Sequence, residues 1–166
     1  MFEIPAAQAL IKMLCVEGAL VVADAMNCQT KTAQAVIDGK GDYLLAVKGN
    51  QMDLRGDMEL FFETESNGLD KSEKSEKGHG RFTTWTAWVS YDIEWYEKRG
   101  RWPKLSCFGA VRRVCVQNGK TSVETRYYIS SRALSAAELL KYSRNEWGME
   151  SMHWILDVIY SNFTFC

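Results

Sequence analysis

Apolar positions change their spacing along this chain, and the changes mark its elements. Between Ala6 and Val16, Ala9, Leu10, Met13 and Leu14 recur at helical spacing, which predicts a short helix closed by Gly18. Ala19-Leu20-Val21-Val22-Ala23 is unbroken apolar, the pattern of a strand covered on both faces, and it runs into Asp24. A second helix is predicted over about Thr30 to Asp38, stopped by Gly39-Lys40-Gly41. Tyr43 to Val47 reads as a second buried strand ending at Lys48-Gly49-Asn50, and a third helix follows from Gln51 to Thr64. Strands separated by helices predict a parallel pair.

The pattern then changes. Glu63 to Lys77 is rich in Glu, Lys and Ser and predicts a solvated, flexible loop. Phe82 to Ile93 carries the Thr, Trp and Val that suit strands. Two more strands are predicted at Cys107–Gln117 and Ser122–Ser130, joined at Asn118-Gly119, a strong hairpin signal. Ser135 with Glu138 forms a capping-box pattern, from which a helix is predicted to run to about Ile159. The expected organisation is residues 1–63 as a helix–strand half-core, 64–79 as a polar loop, 80–132 as a β-rich insertion and 133–166 as a C-terminal helical part. The class is α/β, with mixed α and β content.

Composition narrows the range of functions. The 166 residues are 46% hydrophobic and 25% charged, enough apolar material for a packed core. The formal net charge of -1 excludes a generally basic nucleic-acid coat but not a local basic patch. No apolar run approaches the roughly 20 residues that span a bilayer, so no membrane partner is expected. The opening Met1-Phe2-Glu3-Ile4-Pro5 lacks the basic-then-apolar start of a secretory signal. The five cysteines are far apart without a C-x-x-C pair, which fits thiols in a reducing cytoplasm.

Three groups of residues could carry chemistry. Asp24 stands at the end of a buried strand, where open α/β sheets place their sites, and equally suits an Asx turn opening the next loop. On the predicted last helix Glu146, Glu150, His153 and Asp157 share one face, either as oxygen-rich ligands for Mg²⁺ or Mn²⁺ or as a solvated polar stripe. Trp95, Tyr96, Lys98, Arg99, Arg101, Trp102 and Lys104, with Arg112 and Arg113 nearby, interleave cations with aromatic rings. That composition suits a DNA backbone and exposed bases, or a loop anchored to the core by its tryptophans.

Several strings, in order, carry a resemblance. They are residues 18–26 (GALVVADAM), 41–51 (GDYLLAVKGNQ), His79-Gly80-Arg81, 126–131 (RYYISS) and 147–158 (WGMESMHWILDV). Together they resemble bacterial insertion-sequence transposases of the H-repeat-associated type, over almost the whole chain to about Val158. The resemblance implies a DDE-type transposase with an RNase H-like catalytic core. It also implies an antiparallel β insertion before the last helix, and three acids that hold two divalent metals. Asp24 matches the second acid and Glu150 the third. Lys48, Asn50, His79 and Arg81 match conserved strings and are expected to support DNA or the active site rather than to ligate metal.

Two departures temper that expectation. Only Glu3 and Glu17 precede Asp24, and neither follows a buried strand, so the first acid and the first core strands are unmatched. Beyond Val158 the chain does not follow the family's acidic-then-basic continuation. The expected function is therefore a truncated transposase with metal-dependent DNA cleavage and strand transfer as its family chemistry, itself incomplete as an enzyme. The alternative is a non-catalytic remnant that binds DNA or a protein partner. Missing strands would leave a sheet edge open, through which a homodimer could form.

Overall fold

A computed structural model describes residues 3–23, 29–48, 52–65, 67–147 and 156–160. Its elements are α1 (Glu3–Met13), β1 (Ala19–Ala23), α2 (Thr30–Asp38), β2 (Asp42–Val47), α3 (Met52–Thr64), β3 (Asp70–Gly78), β4 (Arg81–Ser90), β5 (Cys107–Gln117), β6 (Lys120–Ser130), α4 (Ala136–Trp147) and β7 (Leu156–Tyr160). A short 3₁₀ helix at Glu97–Arg101 lies between β4 and β5.

All seven strands join one mixed sheet in the order β3-β4-β5-β6-β2-β1-β7. β1 and β2 run parallel, with Val21 opposite Tyr43, as strands linked through a helix should. Every other pairing is antiparallel. All five residues of β1 are buried, which explains its continuous apolar sequence.

Strand alternation divides the core between the two faces. On one face Val21, Tyr43, Leu45, Phe108, Ala110, Tyr127 and Ile129 meet Ile11 of α1, Val36 of α2 and Met58 of α3. On the other, Leu20, Val22, Leu44, Val111 and Tyr128 meet Leu139, Leu140 and Trp147 of α4. Gly109 permits the second contact: a Cβ there would stand 2.4 Å from Leu139 Cδ2.

The short signals behave as their chemistry requires. Asn118 and Gly119 both adopt positive φ, the pattern of a primed two-residue hairpin turn. Ser135 and Glu138 form a reciprocal capping box: Glu138 N donates to Ser135 Oγ, and Ser135 N donates to Glu138 Oε1, each at 3.1 Å. Gly39 and Gly41 close α2 against Val16: Cβ atoms there would stand 2.6 Å from Val16 Cγ2 and from Val16 O.

Three expectations are corrected. Residues 70–78 form β3, not a flexible loop, and pair with β4 from Asp70↔Val89 to Gly78↔Arg81. Their high charge is that of an edge strand, where charged side chains discourage further pairing. The last helix, expected to reach about Ile159, does not include residues 156–160, which form β7. Leu156-Asp157-Val158-Ile159-Tyr160 has the β-branched and aromatic content of a strand. The edge of the parallel pair, expected to be open, is covered by β7 beside β1 and by β6 beside β2.

Candidate nucleic-acid interface and carboxylate site

The strings 41–51 and 126–131, which carry part of the resemblance, meet at one junction. Ser131 Oγ accepts from Tyr43 N at 2.8 Å and donates to Asp42 Oδ1 at 2.9 Å. Ser130 Oγ donates to Tyr43 O at 2.8 Å, and Arg132 forms an ion pair with Asp42 at 3.2 Å. Arg132 also donates to Gly18 O. These groups fasten β2 to the end of β6 and give the polar atoms at the junction their partners.

Asp24, Asn50, Glu150 and His153 lie outside the described residues. The backbone around them is informative. Ala23, directly before Asp24, is the Cα partner of Leu156 in the antiparallel β1–β7 pair. Lys48 is exposed immediately after β2, at the end of the sheet where β1 also finishes. Asp157 sits in β7 opposite Val22, so it does not share one helix face with Glu146, Glu150 and His153 as the sequence spacing predicted. Among the described residues no group of three His, Cys, Asp or Glu side chains could hold a metal ion. Asp24 and Glu150, the acids expected to hold Mg²⁺ or Mn²⁺, are not among the residues this covers.

The basic and aromatic cluster does not form one patch. Trp95 and Tyr96 pack against Phe108, and Trp95 stacks on Phe61 with ring centres 4.5 Å apart. Trp102 is buried in the same core. The rings thus anchor the segment rather than presenting stacking platforms. Lys98 is paired with Asp53 at 3.2 Å, and Arg99 with Glu94 at 2.9 Å, while Arg101 is exposed. Arg112 and Arg113 are successive in β5 and point to opposite faces. Arg112 lies over Trp88, 5.3 Å from its ring centre, on the α1–α3 face.

Arg113 belongs to a different site. On the α4 face, α4 and strands β3 and β4 bound a cleft of about 730 Å³ whose lining includes Lys74, Trp85, Arg113, Lys141, Arg144 and Trp147. Arg113 and Arg144 both lie over the Trp85 ring, at 5.5 and 5.6 Å from its centre. Trp85 meets Trp147 edge-on at 5.0 Å, and Arg126 covers Trp147 at 3.8 Å. A smaller cleft of about 270 Å³ shares Trp85 and Arg113 and extends to His79 and Arg81. His79 and Gly80 form the turn between β3 and β4, both at positive φ.

The charge balance of this groove is positive. Glu76 is ion-paired with Arg144 and lies 3.8 Å from Lys74. Glu73 lines the larger cleft, but its carboxylate accepts from Thr86, which alternates to the face opposite Trp85. Buried Trp85 Nε1, Trp147 Nε1 and Arg113 Nε have no acceptor. Each can only donate, and an unmatched buried donor costs about 1–3 kcal/mol. The sequence reading had not included Lys74, Trp85, Lys141 or Arg144. Nothing in the sequence places α4 over β3 and β4, and the contact between them is what assembles the groove.

The family described as the transposase DDE domain matches residues 3–162. An uncharacterized protein in the dhlA 3′ region of Xanthobacter autotrophicus is 35% identical over 78% of this chain and 44% of its own length. YhhI of Escherichia coli (strain K12), whose name places it among H repeat-associated transposases, is 34% identical over 95% of this chain and 44% of its own. The chain thus spans under half the length of these relatives. Among solved structures, the sugar N-methyltransferase KedS8 from Streptoalloteichus sp. ATCC 53650 matches at 10% identity over 63% of this chain and 36% of its own, with a TM-score of 0.31, too low to bear on fold or function. With the family match extending over nearly all of its length, the chain belongs to the DDE transposase family, and its relatives include H repeat-associated transposases.

Proposed function

We propose that this chain is a portion of an insertion-sequence transposase whose whole protein cuts and joins DNA with divalent metal, and that the 166-residue polypeptide binds DNA without cutting it. In this reading β1, α2 and β2 belong to an RNase H-like core, residues 80–132 are its β insertion, and Asp24 and Glu150 are metal-binding acids. The observation that carries it is the β1–β7 register. Ala23, the residue before Asp24, pairs with Leu156, six residues after Glu150 in the sequence, at the end of the sheet where β1 finishes. The C-terminal ends of parallel strands are where open α/β sheets place their ligands.

A pair of Mg²⁺ or Mn²⁺ ions, when bound, activates the attacking oxygen and stabilises the leaving oxygen of a displacement at phosphorus. Within this chain Asp24 and Glu150 would supply two carboxylates to such a pair. The remaining acids upstream, Glu3 in α1 and Glu17 in the turn before β1, do not sit at the end of a strand. Two carboxylates leave the ion pair clamped from too few sides, and a misplacement of about 1 Å can lower a rate about 100-fold.

The test is incubation of the purified chain with supercoiled plasmid and Mn²⁺, beside the Asp24→Ala/Glu150→Ala variant. No nicking above the double variant is expected. Nicking that disappears in the double variant would show the polypeptide to be a competent nuclease.

A further inference from the structure

We propose that the groove between α4 and the β3–β5 face grips the sugar–phosphate backbone of a DNA strand, a proposal that rests on the DNA-binding reading above. The site is distinct from the end of β1 and from the 3₁₀ segment. Its cations form a row: Lys141 and Arg144 on α4, Lys74 on β3, Arg113 on β5, and Arg81 at the start of β4. A chain with net charge -1 gathers positive charge along one channel that passes through two adjoining clefts. A long anion with regularly spaced charges fits that shape better than a small one.

The atoms left without partners point the same way. Trp85 Nε1, Trp147 Nε1 and Arg113 Nε are buried donors lacking an acceptor, on side chains that line the cleft. A ligand bringing oxygen acceptors would satisfy what the protein leaves open. Contact with the Trp85 ring restrains Arg113 and Arg144, whose guanidinium carbons lie 5.5 and 5.6 Å from its centre. A held guanidinium loses little freedom when it takes up a phosphate through paired N–H groups. In the groove Lys74 and Arg144 share one carboxylate, Glu76, whereas in the 3₁₀ segment Lys98 and Arg99 each hold their own, Asp53 and Glu94.

The experiment measures binding of the full chain to a fluorescent duplex oligonucleotide across a salt series. Lys74 and Lys141 are exposed, so Lys74→Gln/Lys141→Gln leaves the fold intact, as circular dichroism will verify. It should weaken binding about tenfold or more at low salt and reduce the slope of log affinity against log salt by about 1–2. Arg113→Lys keeps the charge and loses the planar fork; it should weaken binding while retaining the slope. Lys98→Gln/Arg99→Gln and Arg112→Gln should each change affinity by less than about twofold.

Unchanged affinity and slope in the groove variant, with loss in the Lys98→Gln/Arg99→Gln variant, would overturn the groove while leaving DNA binding in place. No binding by the parent chain at low salt would overturn both. Polyglutamate of matched charge that displaces the oligonucleotide equally well would overturn the assignment to phosphodiesters.

Discussion

Gly109 sits in β5 beneath α4, with Leu139 occupying the space a side chain would need. Gly109→Ala should destabilise the chain by about 1–3 kcal/mol through overpacking. Urea unfolding should show a lower midpoint with an unchanged slope. In the sequence this glycine was one small residue inside a strand pattern, and its reason lies in a helix nearly thirty residues later. Cys107 faces the same side of the sheet, and burial raises its thiol from the ordinary 9 to about 11. The unfolded chain ionises first, so the stabilisation is complete below pH 9 and disappears as pH rises from 9 to about 11. The loss is at most about 3 kcal/mol, from roughly 1.4 kcal/mol per pKa unit. Thermal midpoints at about pH 8 and about pH 10.5 should separate more in the parent than in Cys107→Ala.

Among elements, those with a local cause were legible and those with a remote cause were not. β1 and β2 were visible because burial on both faces leaves an unbroken apolar run, and the β5–β6 hairpin because Asn118-Gly119 suits positive φ. The start of α4 was visible in Ser135 and Glu138, whose reciprocal bonds satisfy two N–H groups at the helix start. Ser135→Ala should cost about 0.5–2 kcal/mol, and Ser135→Asp should recover most of it. Equilibrium denaturation of both variants checks the order. β3 was misread because its Ser-Glu-Lys repeat does not follow a period of two; the strand depends on Thr84 and Thr86 of β4, which bond Ser75 and Glu73. β7 was misread because Asp157 completes a helical face in the sequence while Leu156–Tyr160 is also a strand run, and pairing with β1 decides the outcome for those residues. The groove beside α4 has no local signal at all, because it exists only through contacts between distant elements, whereas the proposal for Asp24 starts from its place at the end of β1.

At the scale of the molecule, the β-rich stretch is part of the same core as the helix–strand half. β6 hydrogen-bonds along β2 from Leu44↔Ser130 to Val47↔Tyr127, so the sheet is continuous across the boundary expected near residue 80. Phe108, Ala110, Tyr127 and Ile129 pack in one cluster with Val21, Tyr43 and Met58. Tyr43 reaches further still, donating its hydroxyl to Pro103 O at 2.7 Å. Removing residues 67–132 and joining α3 to α4 by a short flexible linker would strip β2 of its antiparallel neighbour and take Phe108, Ala110, Tyr127 and Ile129 out of the core that β1 and β2 share with α1, α2 and α3. Each large side chain left exposed forfeits about 1.5–3 kcal/mol, which for several residues exceeds the usual 5–15 kcal/mol stability of a domain. The shortened chain should therefore lose its cooperative thermal transition and bind a hydrophobic dye. A sharp transition within a few degrees of the parent's would instead make the first three helices and two strands a folding unit of their own, with the β-rich stretch a true addition to it.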